Sequence, residues 1–152
     1  MNTLDEQARK LSKPLDGYYA KVPALPSNIR EILVSIASWV ALIIGVLSVL
    51  GFLFTLGGSA VAMPYAAATG VGGYMYLFYV ISVISLIEGI LLLVAFSPLR
   101  VKKARGWNLW FWVLVLGLVS SVVYLTVSSI ISGVIGFLIG YYFLYQIKSY
   151  YH

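Results

Sequence analysis

The chain has 152 residues, of which 61% are hydrophobic and 10% are charged, and its mean hydropathy is +0.96. A soluble domain carries roughly a quarter charged residues, so this composition excludes an ordinary water-soluble protein and predicts that lipid is its main solvent. The net charge of +5 comes from basic residues beside apolar runs, which favours a membrane surface over nucleic acid as their partner. Because the chain has no cysteine, disulfides and thiol-based metal sites are excluded.

Residues 1–30 form the one long polar stretch, and their first part predicts a short helix. Thr3 and Glu6 have the spacing of a capping box, which marks a helix start. Pro14 should end this helix near residue 12 or 13, because proline disfavours the helical conformation in the residue before it. The helix is amphipathic and either docks on lipid or a partner or packs on its own bundle. Its apolar positions are Leu4, Ala8 and Leu11.

The rest of this polar stretch predicts a linker without regular structure. Asp16 and Gly17 are typical of a turn. Pro23 and Pro26 favour an extended chain over residues 18–26. A new helix should begin at residue 27 or 28, where a serine and an asparagine can cap it.

Four apolar runs each have about the length that a helix needs to cross a bilayer. Inside lipid every backbone group must be paired within its own segment, which excludes isolated strands. The predicted fold class is therefore an all-α integral membrane protein, an antiparallel four-helix transmembrane bundle with a short N-terminal amphipathic cytoplasmic helix. Residues 1–30 form an interfacial segment and residues 31–152 form the bundle. The predicted spans cover about residues 32–56, 74–97, 107–127 and 130–147.

The distribution of lysine and arginine predicts how the bundle is oriented. Five of these residues precede the first span, four lie between the second and third, and one follows the fourth. The positive-inside bias places both termini in the cytoplasm, and we expect a bacterial-type inner membrane or plasma membrane. The basic loop either binds anionic lipid headgroups or serves topology alone. Its cations are Arg100, Lys102, Lys103 and Arg105.

Residues 57–73 separate the first two spans and are rich in small residues, with no charge. A re-entrant pore loop is one interpretation, since irregular backbone at membrane depth is tolerated where protein surrounds it. The other interpretation, which we favour, is a flexible connector at the membrane surface.

Glu88 is the one formally charged side chain within the apolar runs. It lies about nine residues from the cytoplasmic end of its span, roughly 13 Å deep. An ionised carboxylate is costly there, so we predict that Glu88 is protonated at neutral pH and faces the bundle. Tyr141 or Tyr142 is its expected hydrogen-bond partner, with Ser85 one turn away. The acid is either a proton or cation site or a neutral group that joins two helices.

Small residues recur at four-residue spacing, a pattern that lets transmembrane helices approach closely. They pack the bundle internally or form a seam with another copy. The positions are Ala37, Ala41 and Gly45 in the first span, Ser85 and Gly89 in the second, Gly117 and Ser121 in the third, and Ser132, Gly136 and Gly140 in the fourth.

The sequence lacks the residue sets of known membrane enzymes, so we expect no catalysis, no cofactor and no metal. The first hypothesis is a small four-span membrane protein that acts as an interaction or assembly subunit through helix–helix packing. Its partners would be the bilayer, anionic headgroups, and either itself or another membrane protein. The second hypothesis is a proton- or cation-coupled transporter or channel centred on Glu88.

Overall fold

The computed structural model of the protein describes residues 3–70, 72–124 and 126–152. These residues form five α-helices and a short 3₁₀ turn at Lys148–Tyr150, with no strand among them. Four of the helices, α2 to α5, are long and apolar enough to cross a membrane, which confirms an all-helical chain with four candidate spans. The helices are α1 (Thr3–Tyr19), α2 (Ser27–Ala68), α3 (Gly72–Arg100), α4 (Ala104–Val123) and α5 (Val127–Ile147).

The helices differ from the predicted spans mainly at their ends. Helix α3 continues past Pro98 to Arg100, because a proline near the end of a helix removes only one of the last backbone hydrogen bonds. Helix α4 stops at Val123, and α5 already begins at Val127, where Thr126 caps it by accepting a hydrogen bond from the Ser129 backbone N–H at 3.4 Å.

Helix α2 is 42 residues long, and the connector predicted over residues 57–73 is wrong for residues 57–68, which are helical. At 1.5 Å per residue α2 measures about 63 Å, twice the roughly 30 Å of a hydrocarbon core. Residues 57–68 contain alanines and a methionine, which favour helix, and the helix also continues through Gly57, Gly58 and Pro64, which disfavour it. The helix ends where Gly70 adopts a φ of 76°, the left-handed conformation typical of a glycine just past a helix end. We call residues 57–68 the distal segment.

Helix α1 continues through Pro14 to Tyr19, so the predicted end near residue 12 and the turn at Asp16 and Gly17 are wrong. Proline costs one backbone hydrogen bond inside a helix. Here the last turn of α1 is held by side-chain contacts with α5, described below. Local sequence alone carried no information about those contacts.

Helices α2 and α3 approach most closely at two glycines. A Cβ atom added to Gly89 would lie 2.8 Å from the Ser48 Cβ and 3.1 Å from the Gly45 carbonyl oxygen. Nearby, Trp39 and Phe96 pack edge to face with ring centroids 5.9 Å apart. The helices can come this close because Gly45 and Gly89 have no side chains. Dispersion between closely packed helices then stabilises their association in lipid.

Most of the buried apolar side chains lie where α1, the α3–α4 loop and the carboxyl terminus meet. We call this region the terminal end. The loop is tight, with Lys102 at a φ of 55°, and the chain's last residue pairs with it. The His152 N–H donates to the Lys102 carbonyl at 3.0 Å, and the Ala104 N–H donates to the His152 carbonyl at 2.9 Å. The buried set includes Ala8, Leu99, Trp107, Phe111, Tyr141, Leu144, Ile147 and Tyr151.

Candidate functional site

Tyr141 of α5 is the centre of the terminal end and is fully buried. Its hydroxyl donates to the Asp16 Oδ1 at 2.7 Å and contacts the Ser12 carbonyl oxygen at 3.2 Å. Its ring packs edge to face on Tyr19 and on Phe111, with centroids 5.1 Å and 5.8 Å away. The last two turns of α1 are therefore fastened to α5 and α4 through one side chain.

Lys148 adds charge to this junction. Its ammonium forms an ion pair with Asp16, the one salt bridge within the three described stretches of chain. The same Nζ lies 4.7 Å from the centre of the Trp107 ring, within reach of a cation–π contact. The Trp107 indole N–H in turn donates to the Leu144 carbonyl at 2.8 Å, so the ring that receives the cation is itself fixed.

The linker after α1 is held by the end of α5. The Leu25 N–H donates to the Gln146 Oε1 at 3.2 Å, and the Gln146 Nε2 donates to the Pro23 carbonyl at 3.4 Å. The Tyr142 hydroxyl donates to the same Pro23 carbonyl at 3.3 Å. A buried glutamine near a membrane surface thus satisfies the backbone of a segment with no regular structure.

The start of α1 is tied to α4 in the same way. The Asn108 Nδ2 donates to the Asp5 Oδ1 at 2.8 Å, and the Trp112 indole N–H donates to the Leu4 carbonyl at 3.2 Å. Sequence reasoning did not single out Asn108, and it considered Gln146 only as a polar residue in the inner half of a possible transport pathway. The signal in the sequence was an amide side chain inside an otherwise apolar run, because an amide that is buried there requires a hydrogen-bond partner.

A cavity of about 350 Å³ opens beside these contacts at the terminal end. Its lining includes three cations, Arg9, Lys13 and Lys148, but one carboxylate, Asp16. Tyr151 also lines it, and its buried hydroxyl has no hydrogen-bond partner among the described residues. Burial raises the pKa of the Tyr151 hydroxyl to about 12. The surroundings of Tyr151 therefore favour its neutral form.

Glu88 faces α4. Its Oε1 is buried without a hydrogen-bond partner in the described part of the chain, and a Cβ on Gly117 would lie 3.9 Å from that oxygen. The oxygen accepts from neither Ser85 nor a tyrosine, so the predicted hydrogen bond with Tyr141 or Tyr142 is wrong for Oε1. The physical reason is the packing order: α3 lies between α2 and α4, whereas those two tyrosines of α5 reach α1 and the linker.

The predicted small residues fall into two groups. In the first group they meet a neighbouring helix: Ala37, Ala41, Gly45 and Gly89 are buried, Gly117 lies beside Glu88, Ser121 lies against Gly133, and Gly140 lies against Leu114. In the second group, Ser132 and Gly136 are exposed, and a Cβ on Gly136 would meet nothing within 4 Å. The series on α5 therefore packs internally at one end and is open at the other.

The four loop cations Arg100, Lys102, Lys103 and Arg105 are all exposed at the terminal end. Among the residues that the structure describes, no three histidine, aspartate or glutamate side chains come close enough to hold a metal ion. No family model matches the chain, and no curated protein or solved structure matches it either.

Proposed function

We propose that this protein is a membrane bundle with both termini in the cytoplasm that acts, without catalysis, as an interaction or assembly subunit. Its distal segment and neighbouring helix faces would contact another copy or another membrane protein. The orientation rests on the positive-inside bias, because the terminal end carries all the lysines and arginines.

Residue pairs in contact support an antiparallel bundle. Along α2 and α3, Trp39 meets Phe96 and Gly45 meets Gly89, so one number rises as the other falls. The pairs Gly106 with Leu99, on α4 and α3, and Gly140 with Leu114, on α5 and α4, fit opposite directions for the other neighbours.

The burial pattern of α1 supports an amphipathic cytoplasmic helix that packs on its own bundle. Ala8 and Ser12 are buried against the bundle. Of the three predicted apolar positions Ala8 alone is buried, since Leu4 and Leu11 are 52% and 50% exposed, so the packed face is not the predicted one.

The distal segment is the observation that carries the proposed function. A helix of about 63 Å exceeds the thickness of the hydrocarbon, so part of α2 extends beyond it on the side opposite the terminal end. The chain has no charged residue between Glu31 and Glu88. Val61, Met63 and Tyr65 are 69%, 52% and 73% exposed. An uncharged, apolar surface outside the hydrocarbon is typical of a protein–protein contact.

Single-cysteine crosslinking tests this proposal, because the natural chain contains no cysteine. Val61→Cys places a thiol on the exposed face, and Ser59→Cys places one two residues away at a buried position. In the membranes of the source cell, a bismaleimide should convert Val61→Cys, but not Ser59→Cys, into a covalent species of higher mass. Labelling of Val61→Cys by an impermeant maleimide from outside intact cells tests the orientation in the same experiment.

Two results would contradict the proposal. One is a Val61→Cys protein that reacts fully with the maleimide yet forms no crosslinked species. The other is equal crosslinking of Val61→Cys and Ser59→Cys, which would indicate random collisions. The mass of the crosslinked species distinguishes a second copy from a different partner.

A second candidate function is proton or cation transfer at Glu88, favoured by the buried Oε1 that has no partner in the described residues. A carboxyl that served only to join helices should be hydrogen-bonded, since an unsatisfied polar group in lipid is costly. Against this candidate, the neighbouring serines bond their own helices: Ser120 donates to Gly117 and Ser121 to Leu118. Glu88→Gln should abolish proton or cation flux in liposomes if this function holds, and absence of flux in the natural protein contradicts it.

A further inference from the structure

Two cavities with no lining residue in common follow each other along α2 and the end of α5, one apolar and one lined by a cation, and we call the surface that carries both the groove. The apolar part, of about 230 Å³, lies between α2, α4 and α5. Above it, nearer the terminal end, a second cavity of about 420 Å³ is lined by Arg30, Gln146 and Lys148 among others. Residues that line the two cavities are close in sequence: Arg30 and Leu33 on α2, and Gln146 and Ile147 on α5.

On α2, the groove follows one stripe of the helix. Arg30 begins the stripe, and the apolar lining continues at Leu33, Ala37 and Val40, three or four residues apart. From Leu33 to Val40 the stripe runs for about 10 Å, a third of the hydrocarbon thickness.

On α5 the opposite wall runs at the same depths. Ile147, Phe143 and Gly140 line the apolar part, and Gln146, with Ser149 of the 3₁₀ turn that follows, lines the polar part. A Cβ on Gly140 would lie 2.7 Å from the Leu114 Cδ2, so this glycine lets α5 pack closely on α4 beside the cleft. Trp110 of α4 also lines the cleft.

Of the two cations that line the polar cavity, Arg30 is the one without an ion-pair partner. Its Nε is buried without a hydrogen-bond partner in the described stretches, and none of the carboxylates there forms a salt bridge with it. Lys148 is already paired with Asp16, so it adds less to the potential of the cavity. A buried guanidinium N–H without an acceptor is costly, and a phosphate supplies charge and geometry that fit it.

We propose that this groove is a binding site for one anionic phospholipid of the cytoplasmic leaflet. The lipid phosphate accepts hydrogen bonds from the Arg30 guanidinium, and the upper part of one acyl chain lies in the cleft between α2 and α5. Charge complementarity at one end, an apolar wall at the other and the surrounding lipid all fit this occupant. The site differs from the exposed loop cations, because none of those four side chains lines any of the three cavities described above.

Native mass spectrometry of the full chain in detergent tests the site with dioleoylphosphatidylglycerol as the probe. Phosphatidylcholine with the same chains is the neutral comparison lipid. Arg30→Gln should weaken phosphatidylglycerol binding by about tenfold, because a hydrogen-bonded charge pair is lost. Arg30→Lys keeps the charge but loses the paired N–H donors of the guanidinium, so it should weaken phosphatidylglycerol binding less than Arg30→Gln does. Arg105→Gln removes an exposed loop cation and should change the dissociation constant less than about twofold.

Ile36→Trp tests the acyl part independently. Ile36 lines the cleft and is 45% exposed, so a larger ring can fill the space without entering the core. It should weaken binding of both lipids with every charge in place, and inorganic phosphate in excess should not displace the bound lipid.

Unchanged binding in Arg30→Gln, equal loss in Arg105→Gln, or full binding in Ile36→Trp would overturn the proposal. Displacement by inorganic phosphate would overturn it too, since the site would then hold a free anion. Should Arg30→Gln fail to insert into the membrane, Arg30→Lys tests the phosphate contact and Ile36→Trp tests the acyl part, and unchanged phosphatidylglycerol binding in either variant overturns the proposal.

Discussion

The terminal end and the distal segment are built from different interactions, although α2 extends from one to the other. At the terminal end, Tyr141 is fully buried, and tryptophan, asparagine, glutamine and lysine side chains hydrogen-bond across helices. In the distal segment, Ser59 and Ala66 are the buried positions, and the side-chain hydrogen bond there joins Ser59 to the backbone of its own helix.

This difference shows where specificity is located in a bundle surrounded by lipid. Apolar side chains gain little by moving from lipid to protein, so close packing and hydrogen bonds decide which helices associate. The terminal end has both, and it fixes the arrangement of α1, α4 and α5. In the distal segment every residue except Ser59 and Ala66 is exposed, which leaves much of its surface available for lipid or another protein.

Truncating Tyr141 should change the free energy of unfolding most, and it is the strongest test of the contrast between the two regions. Tyr141→Ala should lower the free energy of unfolding by about 3 kcal/mol, because it leaves a cavity between Tyr19 and Phe111 and removes the hydrogen bond to Asp16. Denaturant titration in mixed micelles measures this. Phe54→Ala, at a position that is 79% exposed, should cost about 0.5 kcal/mol or less. Equal costs at both positions would contradict the contrast.

The glycine contact between α2 and α3 should give the next largest effect. Gly89→Leu should destabilise the protein by about 2 kcal/mol, because its Cβ would meet Ser48 and the Gly45 backbone. Gly136→Leu adds the same side chain in open space on α5 and should be neutral or slightly stabilising. Denaturant titration of both variants and the natural chain measures the difference. An unchanged unfolding free energy in Gly89→Leu would show that the two helices are not in close contact there.

The Tyr151 hydroxyl makes the terminal end sensitive to alkali. Its folded pKa of about 12 exceeds the ordinary value of 10.0, so its neutral form stabilises the fold fully below pH 10. This contribution is lost as the pH rises from about 10 to about 12. Because the Tyr151 hydroxyl has no partner among the described residues, Tyr151→Phe should be at least as stable as the natural protein at pH 7. Its advantage in unfolding free energy should grow by about 1 kcal/mol between pH 7 and pH 11. Unfolding titrations at both pH values measure the difference, and a constant difference would contradict the assignment.

The ion pair should give the smallest effect. Asp16→Asn keeps an acceptor for Tyr141 but removes the charge opposite Lys148, and both side chains are partly exposed, at 26% and 36%. The expected loss is about 0.5 kcal/mol, and it should shrink in high salt because exposed pairs are screened. Glu31→Gln, an exposed carboxylate near the start of α2, serves as the control. A loss unaffected by salt would point to packing instead of charge.

Several features of the fold could be predicted because they depend on composition and length. Apolar runs of membrane length gave four candidate spans, and lipid permits only helices for such segments. The bounds were less predictable. Pro14 and the glycines of residues 57–73 were interpreted as interruptions, yet helices continue through Pro14 and through residue 68. A local penalty of about 1–3 kcal/mol is easily outweighed by neighbouring residues and by tertiary contacts.

The candidate site was less accessible to sequence reasoning. Glu88 stood out as a lone acid, but its neighbour is Gly117, and its predicted tyrosine partners hold α1 and the linker instead. Arg30 is one of the five basic residues before the first predicted span, and nothing in the sequence sets it apart from the others. The cleft beside it exists because α2 and α5 leave a space lined by apolar side chains, which no single helix reveals.

The sequence by itself determined the medium and the kind of secondary structure, since 61% hydrophobic residues in long runs require lipid and lipid requires helices. The tertiary structure alone decided which helices touch, that α1 is held by Tyr141 and Asp16, and that Arg30 faces a groove without a counterion. The physical reason is that apolar faces are nearly equivalent in lipid. Partner choice then depends on a few close contacts and hydrogen bonds between residues more than a hundred positions apart in the chain.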